Sequence, residues 1–431
     1  MRLGCFMISG LQGFESEGRA DSRASRAGRG LCHRSQCAVL SPAIWAERLL
    51  SYADRSRRRD TRRGGLRVIE TEGWLSEVAL RDGALRVEGW VASRGAGSLD
   101  ELRILTGGEA LPGGQLTRGL PSPDVAAAYP GLDAGDAARF RMVVPLAEDG
   151  GERIRDRLLR LVPMFDGRPG WGWFRLLDPK LPFPSEANIG LVGGDFLGSA
   201  LDILGQLVHK AGLEPGHHLL DVGCGTGRVA YALTHYLAGS ARYQGFDVVA
   251  RLVRWAQDEI TSRFPNFRFQ TVDLHNRMYN PKGRLKADTF SFPYPDHSFD
   301  VVLLASVFTH VGGRELRRYL AEIQRVLRPG GRSLCTCFVM TDEVHSLIEG
   351  GRSHQALVHR LEDYWTVDKR VPELAVGFDE ADLEQWIADQ GLTIPGRYPG
   401  SWCGRGGTTY QDTMVLQKPA TPGPDPAGAS G

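Results

Sequence analysis

Apolar and polar residues alternate in two different ways along the chain. Between residues 66 and 180, EVALRDGALRVEGWV holds two runs that alternate every second residue on either side of Asp82-Gly83, which predicts a tight β-hairpin. ELRILTGG, ARFRMVVPL and RLLRLVPMFDG continue the pattern, with Gly and Pro between the runs. Residues 66–180 are therefore predicted to form a small, separate all-β sandwich or barrel.

Beyond the Pro-rich linker at 177–186, the pattern changes to apolar runs that alternate with amphipathic ones. HHLLDVG, RYQGFDVV, FRFQTVDL, FDVVLLAS and GRSLCTCFV predict strands, and RVAYALTHYLA, VARLVRWAQDEITSRF and GRELRRYLAEIQRVL predict the helices between them. This alternation is typical of an α/β fold with a doubly wound parallel sheet. Two further strand-like pieces at 391–418 lack an intervening helix, so that the last strand is predicted to be antiparallel.

The two ends of the chain lack this periodicity. Residues 1–65 are rich in Arg, Ser, Gly and Ala and include RSRRRDTRR. They are read as a disordered tail or as upstream sequence translated from a start codon placed too early, and a basic arm touching anionic lipid or nucleic acid is the alternative. The first two are favoured because this composition cannot bury a core. Residues 419–431 are predicted to be a disordered tail.

Charge and cysteine usage narrow the class of protein. Lys and Arg number 52 and Asp and Glu 51, for a formal net charge of +1, so we expect no nucleic-acid partner. The longest apolar runs are far shorter than a membrane span, and no span is predicted. The seven cysteines form neither zinc spacing nor a disulfide framework, which predicts no metal site and a reducing, cytoplasmic location. Cys335 and Cys337 alternate in a run that favours buried strand positions.

One segment carries a candidate ligand site. In LLDVGCGTGR, residues 219–228, a strand ends in an acid and is followed by Gly223, Gly225 and Gly227. A dinucleotide fingerprint spaces its glycines as G-x-G-x-x-G, and a P-loop has Lys-Ser or Lys-Thr after the last glycine, where Arg228-Val229 stands here. The loop lies at the carboxyl end of a strand and opens a helix, which is where doubly wound sheets bind ligands.

DxGCGTGR, followed by an acid at the end of the next strand, resembles the class I S-adenosylmethionine-dependent methyltransferases. FQTVDL, FPYPDHSFDVVLLASVFTHV and EIQRVLRPGGRSLCT continue the resemblance, which covers residues 185–418. It implies a Rossmann-like, seven-stranded sheet over residues 181–418, with S-adenosyl-L-methionine as cofactor and methyl transfer as activity.

The resemblance also assigns roles to particular residues. Asp247 would accept hydrogen bonds from both ribose hydroxyls, and Asp273 would accept one from the adenine amino group. Asp221 would face the ammonium group of the cofactor or orient the loop. The other cofactor-binding positions that it implies are Gly223, Cys224, Gly225, Gly227, Val248, Leu274 and Ala305.

A candidate base follows the fourth strand. His310 lies in the segment 305–311, which in this family points towards the substrate, and a histidine has a suitable pKa to take a proton near neutrality. A helix-start residue bonded to the backbone is an equally open interpretation. ASVFTH stands where an acidic N-P-P-Y-type tetrad would be, which argues against methylation of an amide or a nucleobase amine.

The acceptor is less defined. The layout also resembles bacterial proteins in which such a methyltransferase accompanies glycosyltransferases and a small β domain, which implies O-methylation of a sugar, a glycan or a related small metabolite. Trp74, Trp90, Trp171 and Trp173 are either a carbohydrate-stacking platform or packing residues, and packing is favoured. The alternative function is a catalytically idle cofactor-binding module fused to a glycan-binding β domain, and the glycine spacing disfavours a nicotinamide oxidoreductase.

Four longer segments remain open between plain connections and functional loops. Residues 111–131 read as a long loop of the β region. Residues 275–296 and 398–412 are candidates for the acceptor pocket, and residues 188–200 for a cover over the cofactor.

Overall fold

The computed structural model of the chain describes residues 68–147, 150–407 and 409–420. The predictions for residues 1–65 and for the tail after residue 420 lie outside these ranges. Within the described ranges, no single helix has the length and apolarity to cross a membrane, and Glu186–Val192 with Phe196–His209 meets those two criteria only as a pair bent by 43°.

The N-terminal part contains nine strands in two antiparallel sheets, with the orders β1-β2-β6-β5 and β4-β3-β7-β8, and β9 paired to β7. Asp82 and Gly83 join β1 to β2 with φ of +52° and +69°, the left-handed values that the predicted hairpin turn needs. The strands are β1 (Thr71–Arg81), β2 (Ala84–Ser93), β3 (Glu101–Thr106), β4 (Glu109–Ala110), β5 (Gln115–Leu120), β6 (Arg139–Pro145), β7 (Leu159–Phe165), β8 (Arg168–Pro169) and β9 (Trp173–Arg175).

These strands enclose an apolar core. Leu85 and Val87 of β2 lie two residues apart and face it together, because successive side chains of a strand point to opposite sides. Phe140 and Leu161 reach it from β6 and β7. The N-terminal part thus has a core built from both of its sheets.

The predicted long loop at 111–131 is more ordered than expected, since it contains β5 and helix α1 (Pro123–Ala128). Ser122 precedes Pro123 at the helix start, where proline is tolerated because the first N–H groups of a helix have no partner within it. This helix-start signal was missed in the prediction. A second helix of this part, α2 (Gly150–Arg155), was not predicted either.

Whether residues 66–180 fold as a domain of their own stays a prediction. Phe174 and Leu176, from β9 and the residues after it, share a hydrophobic core with Leu204 and Leu207. The N-terminal part therefore packs directly against the rest of the chain.

The second part contains a seven-stranded sheet with the order β12-β11-β10-β13-β14-β20-β19. β20 is antiparallel to both of its neighbours, and the pairs among β10 to β14 are parallel. This arrangement confirms the predicted Rossmann-like sheet with an antiparallel last strand, in which Cys335 and Cys337 are buried as expected. The strands are β10 (Leu219–Val222), β11 (Tyr243–Asp247), β12 (Phe267–Thr271), β13 (Phe299–Leu304), β14 (Leu327–Cys337), β19 (Thr393–Tyr398) and β20 (Asp412–Gln417).

Helices cover both faces of this sheet. Leu219 of β10 faces the core on one side, and Leu220 faces the core on the other, as the two-residue period of a strand requires. The helices are α3 (Glu186–Val192), α4 (Phe196–His209), α5 (Arg228–Leu233), α6 (Ala250–Ala256), which a π-helical turn at Gln257–Thr261 continues, α7 (Gly313–Val326), α8 (Asp342–Glu349) and α9 (Glu380–Asp389).

The connection between β14 and α9 carries a small additional sheet that was not predicted. Its strands are two to four residues long, too short for a periodic signal in the sequence. They are β15 (Val339–Met340), β16 (His359–Arg360), β17 (Trp365–Thr366) and β18 (Val376–Asp379), in the order β15-β18-β17-β16.

Candidate functional site

The glycine loop and Asp247 meet at the carboxyl edge of the sheet. Parallel pairing places Val222, the last residue of β10, beside Phe246 of β11, so the two segments that follow leave the sheet together. The amides of Gly223 and Cys224 then donate to the carbonyl of Phe246, at 2.9 and 3.0 Å. The strand order thus brings the loop to the acid that the resemblance assigns to the ribose.

The three glycines of the loop take a conformation that other residues rarely adopt. Gly223, Gly225 and Gly227 have φ of +74°, +54° and +70°, in the left-handed region. A Cβ atom at Gly223 would lie 2.7 Å from Cγ2 of Val307, and one at Gly225 would lie 3.0 Å from Cγ1 of Val192. The loop therefore depends on glycine for its left-handed backbone conformation and for its close approach to Val307 and Val192.

Asp247 is held by backbone amides. Its Oδ2 accepts from the Gly225 amide and its Oδ1 from the Val249 amide, both at 2.8 Å. Burial raises the pKa of Asp247, and these hydrogen bonds oppose that shift. A carboxylate oxygen has more than one acceptor site, so each oxygen can still accept from a hydroxyl, and this geometry fits the diol of a ribose.

Asp221 and Cys224 lie beneath the loop. Asp221 is only 2% exposed, and the hydroxyl of Tyr243 donates to its Oδ2 at 2.6 Å. Burial raises the pKa of Asp221 to about 7, although the hydrogen bond from Tyr243 opposes the shift. Cys224 is buried as well. Of the two predicted roles of Asp221, orientation of the loop is the one that its burial favours.

Asp273 lies two residues beyond β12 and is paired within its own connection. Nε of Arg284 donates to its Oδ2 at 2.6 Å, and this arginine is the main cause that lowers the pKa of Asp273. Leu274 is buried and bridges to Leu285. Any contact of Asp273 with an adenine amino group would therefore share the carboxylate with Arg284.

Val248 and Ala305 are half-buried at the ends of β11 and β13. Val248 packs against the core that contains Phe246, and the ring of Phe246 meets those of Phe290 and Phe292. The predicted cofactor-binding residue Val248 thus lies beside an aromatic cluster that contains Phe246.

His310 closes a short 3-10 helix after β13, Phe308–His310. Its Nδ1 lies 2.7 Å from the carbonyl oxygen of Glu373, and its ring meets that of Tyr279 edge-on at 5.7 Å. Because a carbonyl only accepts, Nδ1 carries the proton, and Nε2 of the neutral ring is an acceptor. Burial lowers the pKa of His310, which keeps the ring neutral at pH 7.

Four residues of this edge were not among the predicted site residues. Ser306, directly after Ala305, has φ of +59°, a strained value for a residue with a side chain. Its hydroxyl and that of Thr336 both donate to Oε1 of Gln411, at 3.0 and 2.5 Å. Tyr279 faces His310 from the connection 275–296. These contacts join residues that are far apart in sequence, so the sequence indicated the segments 275–296 and 398–412 but not the contacts that they make.

The predicted covering segments also reach this edge. Residues 188–200 fold as the end of α3 and the start of α4, and Arg228 of α5 donates to the carbonyl of Gly193. Residues 398–412 bring Gln411 to Ser306. Both segments therefore lie beside the glycine loop or the end of β13, as a cofactor cover and an acceptor pocket would require.

Together these features place most of the predicted cofactor-binding residues at the carboxyl ends of β10, β11 and β13 of an α/β sheet. Residues 220–335 match the family model described as a methyltransferase domain. The predicted S-adenosylmethionine-dependent methyltransferase domain, with its cofactor, is confirmed for this part of the chain.

Several curated proteins are similar to part of the chain. Demethylmenaquinone methyltransferase of Symbiobacterium thermophilum is 29% identical over 130 residues, which are 30% of this chain and 46% of that protein. Sterol 24-C-methyltransferase of Yarrowia lipolytica is 30% identical over 205 residues, 46% of this chain and 48% of that protein. Methyltransferase GfsG of Streptomyces halstedii is 30% identical over 149 residues, 34% of this chain and 48% of that protein. The chain spans about half the length of these relatives.

Proposed function

We propose that the chain is an S-adenosylmethionine-dependent methyltransferase that methylates a hydroxyl group of a sugar, a glycan or a related small metabolite. The observation that carries the proposal is the arrangement of His310, whose Nδ1 is bonded to the carbonyl of Glu373. That bond fixes the tautomer and leaves Nε2 as a proton acceptor at the acceptor side of the site.

The cofactor would be held by the glycine loop and by Asp247. The two oxygens of Asp247 would receive the ribose hydroxyls, and the loop from Gly223 to Gly227 would lie against the cofactor, with Asp221 and Tyr243 supporting it from below. S-adenosylmethionine, when bound, supplies a methyl group made electrophilic by its attachment to a sulfonium. Positioning of the acceptor against such a group can supply about 7–11 kcal/mol of the barrier.

His310 would act as the general base. Its Nε2 would take the proton that the acceptor hydroxyl loses when the methyl group passes to its oxygen and the carbon–sulfur bond breaks, and the carbonyl of Glu373 would hold the ring as it becomes charged. A positioned base of this kind contributes about 10²–10⁴ in rate. The lowered pKa of His310 supports this role because a protonated ring cannot accept a proton.

A second candidate acceptor is a carbon atom of a quinone or a sterol. The names of two relatives, demethylmenaquinone methyltransferase and sterol 24-C-methyltransferase, favour it. His310 would serve there too, by removing a proton from the methylated carbon. The two candidates differ in the acceptor, so an experiment that identifies the product separates them.

The proposal is tested with S-adenosylmethionine that carries a labelled methyl group. The full chain is incubated with it and with polysaccharide, polar-metabolite and lipid extracts, and products are identified by mass spectrometry. A labelled methyl ether in the sugar-containing fractions is the expected result, and Asp247→Asn, which keeps an oxygen for the Gly225 amide, is the matched control and should give less product at a limiting concentration of S-adenosylmethionine. Label on a carbon atom of a quinone or a sterol would support the second candidate, and absence of label from every fraction would leave the idle module as the better account.

A further inference from the structure

Two clefts adjoin at Gly73 and Trp74, and the first of them lies where the N-terminal sheets meet helix α4. The first, of about 120 Å³, is lined by Trp74, Trp171 and Trp173. The second, of about 320 Å³, is lined by Trp74, Trp90 and Tyr129. Trp74 lines both clefts and is 50% exposed. The four tryptophans that the sequence singles out are thus brought to one groove, in which a large aromatic side chain remains half in solvent.

Polar side chains of β9, of helix α4 and of the residue after α4 line the first cleft. Asp202 lies 3.5 Å from Nη1 of Arg175, and Oε1 of Gln206 lies 3.3 Å from Nζ of Lys210. All four side chains line the cleft. The first cleft is therefore lined both by aromatic surface and by side chains that can donate and accept hydrogen bonds.

The charges of these side chains are balanced. Arg175 is paired with Asp202, and Lys210 interacts with Glu70 and Glu72, which oppose the effect of burial on its pKa. A phosphorylated ligand would have to compete with these acids for the cations. The charge pattern therefore favours a neutral ligand over a nucleotide or another phosphate ester.

One residue of α4 leaves room in the cleft. Gly205 lies inside the helix, where glycine is among the least favourable residues. Outside the backbone of the helix, the nearest atom to a Cβ at this position would be Cδ2 of Phe174, at 4.0 Å, so there is room for a side chain here. A glycine at this place keeps one wall of the cleft free of side chain opposite the tryptophans.

We infer that this groove is a saccharide-binding site, in which a sugar ring lies against Trp74 and its hydroxyls bond to Asp202, Gln206 and Arg175. The C–H face of a sugar ring matches an aromatic face, and its hydroxyls match groups that both donate and accept. A sterol or a quinone would bury Asp202 and Arg175 without giving them comparable partners, which is costly.

The segment that follows β19 connects this groove to the candidate methyl-transfer site. Thr409 lines the first cleft and Gly407 the second, where the hydroxyl of Tyr129 donates to the carbonyl of Gly407 at 3.3 Å. Gln411, two residues beyond Thr409, accepts from Ser306 at the end of β13. A saccharide in the groove would thus anchor a longer acceptor beside that edge, an extension that rests on the proposed function.

The inference is tested by saturation-transfer NMR on the full chain. The probes are the methyl glycosides of glucose, galactose, mannose and rhamnose, together with their disaccharides, and the affinity of any bound probe is then measured by calorimetry. We expect at least one probe to bind, and Trp74→Leu and Gly205→Gln each to weaken its binding by about tenfold, or ~1.4 kcal/mol. Trp74→Phe keeps an aromatic face and should lose less.

Phe183→Leu is the matched control, because Phe183 is similarly exposed at 47% and does not line either cleft. Every variant is also tested for thermal unfolding and for binding of S-adenosylmethionine, so that a folding defect is recognised. Undiminished binding in both Trp74→Leu and Gly205→Gln would overturn the site. If saturation is transferred to menadione or ergosterol and to none of the sugars, the proposed ligand class is wrong.

The two proposals fail in distinguishable ways. A chain that binds S-adenosylmethionine but none of the sugars contradicts the saccharide site and leaves the methyltransferase proposal standing. A chain that binds a sugar with the expected response to the variants, but transfers no methyl group to any extract, keeps the saccharide site and removes the proposed activity.

Discussion

The amide of Gly225 donates a 2.8 Å hydrogen bond to Oδ2 of Asp247, so that the loop after β10 and the acid that ends β11 are locked to each other. The bond orients the carboxylate without using all of its acceptor capacity. It also means that a change at Asp247 acts on the loop as well as on any ligand, so the variants that test this acid must keep the backbone contact.

Asp247→Asn is expected to weaken binding of S-adenosylmethionine by at least tenfold. An amide still offers one oxygen to the Gly225 N–H, but it lacks the charge and the second acceptor that a ribose diol would use, and a hydrogen bond to a charged group contributes about 1.5–3 kcal/mol. Calorimetry on the purified protein measures the affinity. Asp258→Asn, at an exposed acid, is the matched control, and equal affinity of Asp247→Asn and wild type would remove Asp247 from the site.

Asp273→Asn should weaken the same binding less than Asp247→Asn does. The carboxylate of Asp273 is already bonded to Arg284 at 2.6 Å and its side chain is 42% exposed, so solvent screens what it offers to a ligand. The same calorimetric titration gives the comparison. A loss larger than that of Asp247→Asn would show that the end of β12 contributes more of the affinity than its exposure indicates.

His310→Ala is expected to lower kcat by about 10²–10⁴ while the affinity for S-adenosylmethionine stays within a factor of about two. The catalytic form is the neutral ring, and burial lowers the pKa of His310 below its ordinary value of 6.5. Wild-type kcat should therefore rise with pH in a limb that lies below pH 6.5 and level off above it. His217→Ala, at the opposite edge of the sheet, is the control, and full activity of His310→Ala would exclude the role.

Gln411→Leu tests the contact between the segment after β19 and the end of β13. It removes the oxygen that accepts from Ser306 and Thr336. The buried Thr336 hydroxyl would be left without this acceptor, at a cost of about 1–3 kcal/mol, whereas the exposed Ser306 hydroxyl can bond to water. We expect a several-fold higher KM for the acceptor with unchanged affinity for S-adenosylmethionine. Gln411→Glu keeps an accepting oxygen and should restore KM, whereas equal KM values in all three proteins would contradict a positioning role.

The central strands and helices of this fold could be predicted because each has its own periodic pattern of apolar residues in the sequence. The apolar runs of β10 and β13 are buried on both sides, and the period of α7 follows one helix face, so each of these elements appears in a short window of sequence. The burial of Asp221 is different. It depends on Tyr243, which parallel pairing of β10 and β11 brings to it, and a charged residue at a strand end looks the same in the sequence whether it faces solvent or a tyrosine.

The groove between the N-terminal strands and α4 could not be predicted from such local patterns, for the same reason. Trp74 and Gly205 are 131 positions apart and line one cleft only because β9 packs on α4. The sequence could single out the tryptophans by type, but whether they are packing residues or a binding surface depends on which of them remains exposed after the two parts dock.

Asp221→Asn should become increasingly stable relative to wild type as the pH rises from 4 to 8. Folded Asp221 keeps its proton up to a pKa of about 7, whereas its ordinary value is 3.8. Between these values the folded state binds more protons than the unfolded state, so stability falls as pH rises, by up to about 4 kcal/mol in total. The neutral asparagine can accept the hydrogen bond from Tyr243 and lacks this loss.

The measurement is urea unfolding of both proteins across that pH range. Burial lowers the pKa of His209 to about 3 and that of His235 to about 4, and these groups give a slope of the opposite sign, in which stability rises with pH up to about 6.5. They are present in both proteins and cancel in the difference between the two free energies of unfolding. A difference that stays constant from pH 4 to 8 would mean that folded Asp221 is already ionised at acidic pH, and its carboxylate would then carry a charge beneath the glycine loop.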